Sequence, residues 1–209
     1  MSAVTIVDYG LGNLHSVINA FSSLGAEIRI AESGAALDGA DRIVLPGVGA
    51  FGDGMAGLRE RGHAEALVRH AAQGRPLIGI CLGAQLLMST SEEFGTHDGL
   101  GIISGAVRQI PAEGVKVPLV GWRRLSEPAD GRWGGSLLDS RERGAWMYFV
   151  HSFHCEPESP SDLLAVAMHG PHPIHAAVRH GAVTGFQFHP EKSGAAGMNI
   201  LKNFLEFKS

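Results

Sequence analysis

Three short segments carry residue types that can perform acyl transfer. The first is Gly79-Ile80-Cys81-Leu82-Gly83, a cysteine between two glycines with an apolar run before it and a helical pattern after it. In a strand–turn–helix context this G-x-C-x-G pattern is the thiol form of a nucleophile elbow. Small residues suit both flanking positions, because the backbone approaches itself closely where it reverses. Such a turn lifts the sulfur above the carboxyl edge of the sheet, where open α/β folds bind their ligands. The helix start behind it favours negative charge and hence a thiolate. An isolated cysteine is usually buried and passive. Cys155, which has no elbow around it, is expected to be of that kind.

A nucleophile needs a base and a group that orients the base. Gly185-Phe186-Gln187-Phe188-His189-Pro190-Glu191 offers both. The alternation over residues 183–188 predicts a strand that delivers His189 at the sheet edge, with Pro190 stopping it. Glu191 can then reach back to the imidazole, hold its tautomer and favour a charged ring beside a thiolate. The third segment, Leu45-Pro46-Gly47-Val48-Gly49-Ala50-Phe51, also follows a predicted strand. Acyl transfer needs backbone N–H groups aimed at the developing oxyanion, and Gly49 and Leu82, next after the nucleophile, are the expected donors. Taken alone, the third segment reads equally well as a simple tight turn.

These segments need elements to position them. Apolar runs at 4–8, 27–30, 42–45 and 76–80 read as strands, the third stopped by Pro46. Helical spacing covers 14–24 and 63–73, the latter closed by Gly74, and a further helix is expected to begin over 85–89. Short apolar strands separated by helices imply a parallel sheet covered on both faces. Beyond Gly95 the pattern changes: runs at 106–110 and 115–120 suggest antiparallel additions. Residues 127–144 read as a polar surface loop or a poorly ordered excursion. Strands at 146–150, 163–168 and 183–188 and a helix over 195–207 complete the pattern. The expected architecture is α/β, an open mixed and mostly parallel sheet with helices on both faces and antiparallel additions, in one domain spanning 1–209.

Seventeen Lys and Arg against 21 Asp and Glu give a net charge of −4, which argues against nucleic acid or an acidic membrane as partner. The 29 glycines are neither periodic nor gathered into a linker. No apolar stretch approaches the roughly 20 residues of a membrane span. Asp8 falls where a signal peptide would have its apolar core, so a soluble cytoplasmic protein is expected. Gly10-x-Gly12-x-x-His15 half-matches a dinucleotide fingerprint, but His15 is too bulky for the third position, and no nucleotide cofactor is expected. His169, His172, His175 and His180 are broken up by Pro171 and Pro173 and lack a matching ligand set, so no metal is expected. His151 and His154 are expected to face a polar edge, Arg123 and Arg124 to be solvated, and the three tryptophans to be too scattered for a binding stripe.

The cysteine segment with its following Ala84-Gln85, the His189-Pro-Glu191-Lys-Ser run and the early Asp8-Tyr-Gly-Leu-Gly-Asn-Leu14 together resemble the class I (triad) glutamine amidotransferases. More narrowly, the chain resembles the branch that serves as glutaminase subunit of imidazole glycerol phosphate synthase in histidine biosynthesis. Residues 46–51, 91–93, 99–101, 118–122 and 148–152 fall in that family's order. The resemblance implies Cys81 as nucleophile, His189 as base and Glu191 as its orienter, with Gly49 serving the oxyanion hole. It also implies that Gln85 and Glu93 recognise the amino-acid end of glutamine. Asn13, Trp122, Tyr148 and Lys192 would lie near the face that docks a cyclase subunit in a heterodimer, to which the ammonia is passed. Two departures stand out: Leu119-Val-Gly-Trp-Arg123 where the family usually has His-Met-Gly-Trp-Asn, and Ala84 where Met is common. They leave open a relative that supplies ammonia to cell-surface sugar biosynthesis, and a stand-alone cysteine hydrolase on the same fold is the third alternative.

Overall fold

The computed structural model describes residues 3–129, 131–139 and 142–207. The first half lays down β1 (Ala3–Val7), α1 (Leu14–Ser23), β2 (Glu27–Ala31), β3 (Ile43–Gly47), α2 (Phe51–Glu60), α3 (His63–Ala72), β4 (Leu77–Cys81) and α4 (Leu82–Leu86). A smaller set follows: β5 (Met88–Ser91), β6 (His97–Asp98), β7 (Ile103–Gln109), β8 (Leu119–Ser126), β9 (Trp146–His151) and β10 (Phe153–Pro157). The chain finishes with β11 (Leu163–His169), β12 (His172–His180), β13 (Val183–Phe186) and α5 (Gly194–Glu206).

The main sheet has the order β2-β1-β3-β4-β13-β12-β11-β8-β9. Its first five strands pair in parallel and the last four are antiparallel additions. A four-stranded sheet, β10-β7-β5-β6, lies apart from it. Strand alternation decides which residues face which helices. Val4, Ile6, Val44, Ile78 and Ile80 join Val17 and Phe21 of α1 and Ile200 and Phe204 of α5 in one core. Their neighbours Val7, Ile43, Leu45 and Leu77 join Leu58 of α2, Leu67 of α3 and Leu86 of α4 in the other. Both faces of the parallel block are thereby covered, as its near-continuous apolar strands require.

Several boundaries differ from the sequence expectation. Pro46 does not stop β3 but lies inside it, opposite Ile80. The Ile43 N–H bonds toward β4, so by alternation position 46 would donate toward β1, whose pairing with β3 covers only Ile43 and Val44. A missing N–H there breaks no ladder bond. Helix α2 escaped the sequence reading because Gly52, Gly54 and Gly57 dilute its apolar pattern. Gly57 is required by packing, since a Cβ there would lie 2.6 Å from the Tyr9 carbonyl oxygen. The helix expected to begin over 85–89 is instead the end of α4, which starts at Leu82, and Met88 already belongs to β5. Residues 115–118 are not strand, and β13 ends at Phe186 rather than 188.

The 127–144 segment is the largest correction. Its described residues bury Trp133, Leu137 and Leu138 in the α1–α5 core. The Trp133 indole N–H donates to the Leu164 carbonyl at 2.9 Å, and its backbone N–H to the Glu127 carboxylate at 3.0 Å. Asn199 and Asn203 of α5 donate to the Glu142 carboxylate and the Leu137 carbonyl. Polar composition concealed three anchors, each a large apolar residue spaced too irregularly to register as an element. Residues 130, 140 and 141 of this stretch lie outside the described residues.

Candidate active site

Cys81 ends β4 with φ 56° and ψ −111°, a conformation that side chains avoid, and α4 begins at the next residue. The flanking glycines are held by contact. A Cβ at Gly79 would sit 2.6 Å from the Gly83 carbonyl oxygen, and one at Gly83 would overlap the carbonyl oxygen of Leu45. The strained turn is therefore clamped between β3 and α4, which is how a backbone in an unfavourable region persists. The sulfur is almost covered, with the Val150 carbonyl at 4.0 Å and the Gln187 side-chain amide at 3.9 Å.

His189 arrives from the neighbouring strand. After β13 the chain bends through Gln187 and Phe188 and then enters the turn Pro190–Lys192. The His189 backbone N–H donates to the Tyr148 carbonyl at 2.9 Å, and Ser193 Oγ donates to the His189 carbonyl at 2.6 Å. The Tyr148 N–H returns a bond to Ser193 Oγ at 3.0 Å, so β9 and the turn lock the ring's backbone between them. The ring donates from Nδ1 to Glu191 Oε1 at 2.8 Å, and both side chains are nearly inaccessible. That bond fixes the tautomer and leaves Nε2 for the sulfur's side. Nε2 makes no hydrogen bond at rest, a looseness usual in a site without substrate.

Burial alone would lower the His189 pKa, but the Cys81 sulfur on its open side and the Glu191 carboxylate bonded to it outweigh that and raise it to about 9. The ring is thus an imidazolium near neutrality. A raised folded-state pKa contributes stability that is whole below the unfolded value of about 6.5 and is lost as pH rises through about 9. Buried His151 and His154, whose pKa values burial pushes down to about 4 and about 3, affect only the acid side. We therefore expect the unfolding free energy to fall by on the order of 3 kcal/mol between pH 6.5 and 9.5, and a His189→Gln variant to lose most of that slope. Denaturant titrations at the two pH values check this, and parallel slopes in both proteins would contradict it.

A cavity of about 290 Å³ opens over the sulfur. Gly49, Leu82, Gln85, Glu93 and His189 line it together with Cys81, so the sequence-derived set converges on one place. Glu93 also accepts the Phe51 N–H at 2.7 Å, tying the start of α2 to the cavity. Gln85 donates to the Phe153 carbonyl at 2.9 Å and to Gln187 Oε1 at 3.0 Å. Sequence reasoning missed Val48 and the wall formed by Val150, His151, Ser152 and Phe153. His151, expected at a polar edge, is buried in that wall, its Nδ1 donating to the Phe153 carbonyl at 2.8 Å. His154 is buried as well, accepting the His175 N–H at 3.0 Å and lying against the His175 ring. The register of β9 against β8, Leu119 opposite His151, places Val150 and His151, and that of β10 against β7 places Phe153 and His154; no local pattern announces either.

The four residues expected near a docking face lie outside the cavity lining, on β8, β9, the Pro190–Lys192 turn and the start of α1. Trp122 on β8 lies opposite Tyr148 on β9, with ring centroids 5.8 Å apart, and the Tyr148 ring is 6.4 Å from His189. Lys192 is exposed on the Pro190–Lys192 turn, and α1, which Asn13 precedes, packs against that turn. The ribbon also corrects two expectations. Trp122 and Trp146 stand on one face with Val120 and Val150, all four well exposed, and Arg124 lies over the Trp146 ring at 5.0 Å. Arg123 points the other way, its guanidinium donating to His169 Nδ1 at 3.1 Å. The remaining histidines of the dense run go to separate partners: His172 to the Glu113 carbonyl, His175 to that of Cys155 and His180 to Asp162.

Comparison with known proteins adds three findings. The family model for glutamine amidotransferase class-I matches residues 5–207. The chain is 42% identical to imidazole glycerol phosphate synthase subunit HisH 1 of Legionella pneumophila (strain Lens), covering 99% of this chain and all of the relative. It is 44% identical to subunit HisH of Wolinella succinogenes over 97% and 98% of the two chains. Among solved structures, a glutamine amidotransferase superposes with TM-score 0.73 at 21% identity, covering 97% of each chain. PurLQS from Thermotoga maritima superposes with TM-score 0.72 at 20% identity, covering 99% of each. These last two show the fold.

Proposed function

Because the chain belongs to the class-I glutamine amidotransferases, we propose that it is the glutaminase subunit of an imidazole glycerol phosphate synthase, working in histidine biosynthesis. The observation that carries the chemistry is one cavity lined by Cys81, His189, Gln85 and Glu93, with His189 bonded to Glu191 behind it. Glutamine enters with its amino-acid end toward Gln85 and Glu93 and its side-chain amide over the sulfur. The Cys81 thiolate attacks the amide carbon, and the N–H groups of Gly49 and Leu82 take the oxyanion. His189, already charged, gives its proton to the departing nitrogen, so ammonia leaves and a thioester remains. The now neutral ring draws a proton from water, whose attack on the thioester releases glutamate and restores the thiolate. Glu191 holds the imidazole through both transfers. None of these steps asks for a metal or an organic cofactor.

The exposed ribbon of Val120, Trp122, Trp146 and Val150, with Tyr148, Asn13 and Lys192, is the docking face for a cyclase subunit. Contiguous exposed aromatic and apolar residues of this kind mark interaction surfaces, and aromatic residues dominate their binding energy. The face borders the cavity through Val150, so ammonia released at Cys81 emerges under the partner rather than into bulk water. Trp122→Ala is expected to weaken binding of the cyclase about 30-fold or more by titration calorimetry. Alkylation of Cys81 by a glutamine-mimicking electrophile should proceed at the wild-type rate in that variant, since Trp122 does not line the cavity.

No helix among the described residues is long and apolar enough to cross a membrane, which is compatible with a cytoplasmic heterodimer. The decisive experiment measures ammonia release from glutamine by the chain alone and with a histidine-pathway cyclase carrying its ribonucleotide ligand. Activation by that pair is the expected result. Silence in both conditions, with Cys81 still labelled by the glutamine mimic, would overturn the pathway and leave the glutaminase in search of another acceptor.

A further inference from the structure

Tyr9 lies two residues beyond β1 and is 3% exposed. Its hydroxyl is buried and has no hydrogen-bond partner, although a buried Tyr O–H usually finds one. Burial, with the charge of Cys81 added, raises the phenol's pKa, so it keeps its proton at any working pH and is a donor in need of an acceptor. The hydroxyl lies under Gly47: a Cβ on that glycine would overlap it, and would also come within 3.0 Å of Leu82. Gly47 is the last residue of β3, opposite Cys81, and leads directly into Val48 and Gly49 of the cavity wall. An unsatisfied donor is thus packed against the segment that has to supply an oxyanion N–H.

One peptide of that segment is free to turn. Gly49 has φ +112°, while Val48 is not among the described residues with positive φ. Rotating the Val48–Gly49 peptide by half a turn carries Gly49 toward the ordinary negative region, at no steric cost to glycine. Rotating the peptide before it would instead drive the β-branched Val48 to positive φ, which such residues avoid. In a trans peptide the carbonyl and the following N–H point in opposite directions. A Val48 carbonyl turned inward toward the Tyr9 hydroxyl therefore turns the Gly49 N–H outward toward the cavity.

We propose that Tyr9 is a positioning residue whose buried hydroxyl, unpartnered at rest, donates to the Val48 carbonyl when glutamine binds and so holds the Gly49 N–H in the oxyanion hole. This rests on the glutaminase reading above and specifies how its oxyanion donor is set. Tyr9 never touches the substrate. Its hydroxyl biases a two-position peptide toward the reactive arrangement, and its cost in the resting state is what the turned peptide relieves.

The test is Tyr9→Phe, which keeps the ring and deletes only the donor. Glutamine hydrolysis by the complex with liganded cyclase is measured for both proteins, together with the thermal midpoint of each chain before and after reaction with 6-diazo-5-oxo-L-norleucine. We expect kcat to fall about tenfold with KM for glutamine changed less than twofold. The unreacted variant should melt no lower than wild type, and the stabilisation gained on reaction should be smaller. Equal kcat in the two proteins would overturn the proposal, as would a lower melting point of the unreacted variant, which marks a hydroxyl already bonded at rest. A wild-type complex inactive on glutamine would instead overturn the glutaminase reading itself, so the two failures are distinguishable.

Discussion

A Cys81→Ala variant is expected to lose glutamine hydrolysis by at least about 10⁴-fold while keeping its fold and its cyclase partner. The size follows from the role: without a nucleophile the thioester route is closed, and enzymes that lose one member of such a group retain only what binding and the oxyanion donors supply. The fold should survive because the thiol's hydrogen-bond partners among the described residues, the Val150 carbonyl at 4.0 Å and the Gln187 amide at 3.9 Å, are both long. A second substitution separates chemistry from backbone. At φ 56° and ψ −111° the residue pays for its Cβ, and alanine pays equally. Cys81→Gly should therefore be as inactive as Cys81→Ala yet more stable by about 1 to 2 kcal/mol. Ammonia release and urea unfolding check the pair. A glycine variant no more stable than alanine would mean that the elbow stores no strain, and residual activity within a hundredfold of wild type would remove Cys81 from the reaction.

The elbow was legible in the sequence because everything that makes it an elbow is local. Gly79, Cys81 and Gly83 span five residues, and the close contacts that demand the two glycines come from the turn itself and from β3 beside it. The same holds for His189 and Glu191, which need only the two-residue turn at Pro190 to meet. What the sequence withheld is what register decides. His151 sits in the cavity wall because Leu119 pairs with it across β8 and β9, and a shift of one residue would send it to the opposite face. Trp122 and Trp146 are 24 positions apart in the chain and share a face for the same reason. Helix α2 was hidden by its glycines, which lower helix propensity but are demanded by Tyr9 and by Leu86 packing against it. In each case a tertiary contact overrode the local pattern.

The largest stability effect is expected where such a contact is tightest. Gly83 has an ordinary backbone conformation, so alanine there carries no dihedral penalty, and its propensity within α4 would even improve. Yet its Cβ would overlap the Leu45 carbonyl oxygen, an atom fixed by the β3–β4 ladder rather than the end of a flexible side chain. Neither partner can step aside without opening the sheet beneath the nucleophile. Gly83→Ala is therefore expected to cost about 3 to 5 kcal/mol, in the range of severe overpacking, and to abolish glutamine hydrolysis by displacing Cys81 and the Leu82 N–H together. Gly181→Ala is the reference, since Gly181 has φ +57° and open space where a Cβ would go. It should cost about 1 kcal/mol, from its left-handed conformation alone, and leave activity intact. If denaturant unfolding gives Gly83→Ala a loss no greater than that of Gly181→Ala, the clamp between β3 and α4 is not what holds the elbow. The strain at Cys81 must then be supported by the His189 side of the cavity, where Gln187 and the Val150 carbonyl reach the sulfur.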